Sequence, residues 1–158
     1  MTVDDIFEKM DPRPRYDIQY DSLFRLFPNL RKNQLYLVAF MIGIRLNKCS
    51  PIPKGIATSD IYLLNNWSPK SQRDAIYYLL LKRSNDWTIP YSWKDMDNAD
   101  EDVFIAFKRE FCKSMDGFAN AGFEFIKQKN ESDQTYFKQP FALIDLLVEV
   151  ADNPKQYQ

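Results

Sequence analysis

Histidine is absent from the 158 residues, and only two cysteines, Cys49 and Cys112, are present. A Ser-His-Asp or Cys-His relay is therefore impossible within this chain. Two cysteines 63 positions apart supply at most two soft ligands, which excludes zinc sites built from Cys and His. The four glycines are isolated at 43, 55, 117 and 122, so there is no Gly-rich loop to cradle phosphates. The longest apolar run, Leu35 to Ile44, is ten residues, about half of the ~20 needed to cross a bilayer. With no signal peptide, the two thiols read as free cysteines of a reducing cytoplasm. The chain therefore reads as a cytoplasmic non-enzyme with no catalytic residue, no cofactor and no metal.

What is present is apolar mass. The apolar fraction is 45% and the aromatic fraction 15%, enough for one sizeable core in a chain of single-domain length. Nine prolines fall mainly at the joints, near Pro12 and Pro14, Pro51 and Pro53, and Pro90. Val3, Ile6, Phe7 and Met10 share a face of a short helix over 2–10, with Thr2 as its N-cap. Tyr20, Leu23, Phe24 and Phe27 align on a second helix ending at Pro28, and Asn29 is placed to cap the next one. Residues 31–47 then read as the central helix, buried on all sides. Arg45 and Lys48 suit its C-terminus, and Gly43 permits a close crossing. Arg31 and Lys32 oppose the dipole at its start.

Beyond the loop Cys49 to Ala57, a short helix is expected over 58–67. The next is expected from Ser68 as N-cap and Pro69 as first residue to about Arg83, burying Ala75, Ile76, Leu79 and Leu80. The longest pattern follows. Phe104, Phe107, Phe111, Met115, Phe118, Gly122 and Phe125 are spaced 3, 4, 4, 3, 4 and 3, a helical stripe over six turns with Gly117 as a possible bend point. It reads as core or as the interface of a homo-oligomer. Residues 129–138 read as a loop. The last helix begins at Pro140, with Phe141, Ile144, Leu147, Val148 and Ala151 on its inner face. The expected architecture is one all-α domain over 1–158: about six helices around the 31–47 helix, with 1–11 and 152–158 as loose ends.

Charge is uneven although the total is −1. Residues 12–57 hold eight basic residues against Asp17 and Asp21, a net of +6. Within that segment Arg13, Arg15, Arg31, Lys32, Arg45 and Lys48 are the candidate contacts for a DNA backbone or a protein partner. The bland alternative is scattered surface charge. Trp87, Tyr91 and Trp93 are candidates for stacking on bases, against the alternative of a lid folded over the helices. Asp95, Asp97, Asp100, Glu101 and Asp102 fit no metal-ligand template and read as a solvated helix start.

Three stretches carry a family resemblance: KNQLYLVAFMIGIRLNKCSPI at Lys32 to Ile52, FANAGFEFI at Phe118 to Ile126, and the helix Tyr20 to Phe27. DAIYYLLLKRSND at 74–86 adds a looser match. In these the chain resembles the small Dnd system-associated proteins of the "protein 4" family, found in bacterial DNA phosphorothioation and restriction operons. It departs at Phe118, which stands in the place of a tyrosine, and across Ile56 to Trp67; the helix after Pro140 reads as an extension. The resemblance covers about two thirds of the chain and brings no catalytic residues. It implies an accessory component of an anti-phage defence system, acting through protein partners and the DNA backbone. Two alternatives stand beside it: a stand-alone DNA-binding regulator using the basic 12–57 face, and a carboxylate-and-magnesium nuclease. No membrane is expected as a partner.

Overall fold

A computed structural model describes residues 10, 12–13, 18–59, 61, 64–83, 91–92, 96 and 98–152. They are all-α, as the periodicities predict. Among the described residues five α-helices follow one another: α1 (Ile18–Leu26), α2 (Lys32–Arg45), α3 (Lys70–Leu81), α4 (Glu101–Ser132) and α5 (Ala142–Asp152). Short 3-10 turns sit at Leu64–Asn66 and Tyr136–Lys138. Residues 2–9 of the expected first helix, Arg15, Trp87, Trp93, Asp95, Asp97 and the last six residues lie outside the described residues.

Contacts group the chain into two compact units. One comprises 1–13 and 60–115, the other 14–59 and 116–158, and α4 contributes its first half to the former and its second half to the latter. In the first unit the Phe stripe supplies the core. Tyr77 of α3 stacks on Phe111 at 6.0 Å between ring centroids, and meets Phe107 edge-on at 6.4 Å. Offset and edge-on geometries such as these let the negative face of one ring meet the positive rim of another. Tyr91 closes on Phe107 at 5.1 Å. Ile76 and Leu80 are buried as expected, whereas Ala75 is exposed and Tyr77 takes its place inside. Of the expected helix over 58–67, the described residues are helical only in the 3-10 turn, which is anchored by the Leu64 N–H donating to the Met10 carbonyl. Met10 is itself buried. Pro69, with an extended backbone (φ −74°, ψ 156°), is the N-cap of α3, not its first residue; Ser68 lies one position too early to cap.

In the second unit α2 is amphipathic, not buried all round. Leu35, Tyr36, Ala39, Phe40, Ile42, Gly43 and Ile44 are buried, while Gln34, Met41 and Arg45 show to solvent. Its cap is Arg31, not Asn29; the Arg31 N–H is satisfied by the Gln34 side chain at 2.9 Å. At the other end Asn47 adopts a left-handed backbone (φ 51°). Its N–H donates to the Ile44 carbonyl and that of Lys48 to the Gly43 carbonyl, a Schellman termination in which asparagine replaces the usual glycine.

The stretch buried on all sides is Gly117 to Phe123, in α4. It crosses α2 backbone to backbone. A Cβ on Gly43 would collide with the Phe118 carbonyl, and one on Gly122 with the Ala39 carbonyl. Ala39/Gly43 and Phe118/Gly122 are thus two i, i+4 pairs facing each other, and only a missing Cβ allows that approach. Phe123, outside the predicted stripe, is fully buried at this crossing and meets Phe24, Tyr20 and Tyr36 at 5.3, 6.3 and 6.5 Å. Phe125, inside the stripe, is only half-buried. Helix α4 is unbroken through Gly117 and continues to Ser132, so the expected loop over 129–138 begins only at Asp133.

Candidate functional site

The basic residues do not converge. Arg31 and Lys32 lie at one end of α2, Arg45 and Lys48 at the other, separated by a helix of 14 residues and therefore by about 20 Å. Lys32 donates to the Ser59 hydroxyl at 3.0 Å and lies 5.8 Å from the Phe24 ring centroid. Arg45 donates to the Ala151 carbonyl, where a cation complements the C-terminal end of α5. Lys48 borders a recess of about 100 Å³ formed with Leu46, Ala121, Phe125 and Gln128, well below the few hundred Å³ of a small-molecule pocket. Arg13 is exposed and belongs to the other unit.

Tyr91 is buried against Phe107, and burial followed by the nearby Glu110 pushes its hydroxyl above the usual tyrosine range. It is a core residue, not a stacking platform. Asp100 accepts the Val103 N–H at 2.9 Å, so it is spent as the cap of α4.

A polar clamp fixes the loop after α2 onto α4. The Asn120 amide, 2% exposed, donates to the Ser50 carbonyl at 3.0 Å. The Ser50 hydroxyl donates to Glu124 at 2.9 Å, and its N–H donates to the Gly117 carbonyl at 2.9 Å. Positions 117, 120 and 124 follow helical spacing, so one stripe of α4 holds the loop. The Tyr36 hydroxyl donates to Asp116 one turn earlier. This network positions backbone, although the buried Asn120 Oδ1 has no hydrogen-bond partner among the described residues.

The outer surface of α5 is different. Phe141, Ile144 and Val148, which the spacing placed inward, are 75%, 56% and 55% exposed. The residues turned inward are Ala142, Leu146 and Val150. The sequence contains the reason: eight of the eleven residues in α5 are apolar, more than one buried face can absorb. Periodicity alone then leaves two apolar faces, and the one carrying Phe141, Ile144 and Val148 is the one that faces solvent. Phe141 also has a left-handed backbone (φ 64°), a conformation that costs a bulky residue about 1 to 3 kcal/mol. Its carbonyl accepts the Asp145 N–H at 2.9 Å as the first bond of the helix.

The face is held firmly from behind. Lys129 of α4 pairs with Glu149 at 3.3 Å and lies over the Tyr136 ring at 4.7 Å. Burial, with Glu149 and Asp145 adding negative potential against the opposing Lys129, raises the Tyr136 hydroxyl above its usual range. Phe137 packs on Phe27 at 5.1 Å, which ties the α4–α5 connection to the end of α1.

No protein-family model, no curated protein and no solved structure matches this chain. Among the described residues no helix is long and apolar enough to cross a membrane, and no group of three or more His, Cys, Asp or Glu is placed to hold a metal.

Proposed function

We propose that this chain is a non-catalytic accessory protein of a bacterial anti-phage defence system associated with DNA phosphorothioation. It works by holding a protein partner against the outer face of α5. The observation that supports partner binding is the solvent-facing row Phe141, Ile144 and Val148 on a helix whose other face is already buried. Anchors spaced 3 and 4 are how a helical face reads a partner. The defence setting is supported only by the resemblance of Lys32 to Ile52 and Phe118 to Ile126. Those are the segments of the α2–α4 crossing, so that likeness speaks more directly to fold than to task.

The test is co-expression with the products of the neighbouring genes. One of them should be retained by the wild-type chain and lost from an Ile144→Glu/Val148→Glu variant. Retention by none of them would reject the reading.

The basic 12–57 face supports a second reading, a DNA-binding regulator, because Arg31, Lys32 and Lys48 are exposed. That reading requires DNA binding that weakens steeply with salt and is reduced by charge reversal at Arg31 and Lys32. A nuclease would require metal-dependent cleavage that disappears when Asp100 and Asp102 are replaced.

A further inference from the structure

We infer that the outer face of α5 docks an amphipathic helix whose apolar stripe is edged with lysine or arginine. The inference rests on the partner-binding reading and names the partner's chemistry. On a helical wheel Ala151, Ile144, Val148 and Phe141 follow one another within about 80°. Asp152, Asp145 and Glu149 continue the circle immediately beyond Phe141. The apolar stripe therefore has one acidic edge. Asp145 and Asp152 are exposed and make no ion pair among the described residues. Two cations beside the helix are engaged at other atoms, Lys129 with Glu149 and Arg45 with the Ala151 carbonyl.

A second copy of this face is a poor occupant. Helix α5 contains no Lys or Arg, so two copies of it laid together give these carboxylates no cation. In an antiparallel two-fold pair, each acidic edge would lie along its own copy. An anionic lipid surface is disfavoured by the same carboxylates. An apolar stripe with one cationic edge satisfies both parts of the surface, because its side chains cover Phe141, Ile144 and Val148 while its charges meet Asp145 and Asp152.

The probe is a pair of fluorescein-labelled 18-residue amphipathic peptides with one leucine stripe, edged by lysine in one and by glutamate in the other. Binding is read by anisotropy at fixed salt. The wild-type chain should bind the lysine-edged peptide about tenfold more tightly, the range for a few exposed charge pairs. Asp145→Lys/Asp152→Lys should reverse the preference, and Ile144→Glu/Val148→Glu should abolish binding of both. These are surface changes, and circular dichroism confirms that each variant is folded. Equal binding of the two peptides, or no reversal by the lysine variant, would overturn the basic-edged partner while leaving partner binding intact. Sedimentation showing a dimer lost in Val148→Glu would assign the face to a second copy and overturn it as well. If peptide binding behaves as expected but neighbour capture survives Ile144→Glu/Val148→Glu, the inferred docking stands and the functional reading of the face falls.

Discussion

Phe141 is the residue that the fold explains least and a binding surface explains best. It is three-quarters exposed, so it gains little from burial, and its left-handed backbone strains the chain. Phe141→Gly should therefore raise stability by about 1 kcal/mol in urea unfolding while weakening partner capture. Loss of stability would mean that the ring packs usefully in the free protein. Asn120 is the opposite case, buried and spent on the Ser50 carbonyl. Asn120→Ala should cost about 1 kcal/mol, because the Ser50 carbonyl loses its donor. Asp133 gives a pH signature. The Thr135 hydroxyl and N–H donate to its carboxylate at 2.7 and 2.9 Å and hold it below the usual carboxylate range. A carboxyl lowered in the folded state stabilises that state above its unfolded value, and the contribution is lost as pH falls through the lowered folded value. The turn after α4 should thus loosen only in acid, with an Asp133 midpoint by NMR below the ordinary value of about 3.9. A midpoint at or above that value would contradict the geometry.

At the scale of elements, the decisive contact is the crossing of α2 and α4. Gly43→Ala and Gly122→Ala each drive a methyl group into a backbone carbonyl, which has no flexible side chain to move aside. Each should cost about 1 to 3 kcal/mol or more in thermal or urea unfolding, although alanine is the better helix former. A neutral melting temperature for either would mean that the helices sit farther apart. Much of this was legible. The 3–4 spacing from Phe104 to Phe118 marked a buried face, and Gly43 was readable as a close crossing because glycine in a helix needs a reason. Asp100, Glu101 and Asp102 read correctly as a helix start. The other half of the crossing was not legible, since Ala119, Asn120, Ala121 and Gly122 carry too little hydrophobic signal to announce that they are buried. Phe123 was missed for the same reason: it breaks a single stripe, and the helix around it is buried on every side. The site was less legible than the fold. Arg31 and Lys32 before the 31–47 helix and Arg45 and Lys48 after it were legible as its two flanks, but not whether either pair meets a partner. The outer face of α5 was assigned to the core because an overly apolar helix offers two faces and sequence cannot say which one meets protein.

For the whole molecule, stability and partner binding should separate by location. Phe111 is fully buried beneath Tyr77, so Phe111→Ala should cost about 3 to 5 kcal/mol and lower the melting temperature sharply. Ile144→Glu and Val148→Glu, at positions more than half exposed, should change stability far less, by about 0.5 kcal/mol. The most direct measurement is therefore the Ile144→Glu/Val148→Glu variant, assayed in parallel for melting temperature and for retention of a co-expressed neighbouring gene product. An unchanged melting temperature with retention lost is the predicted result. Retention at the wild-type level in a well-folded variant would contradict the assignment of this face as the binding surface.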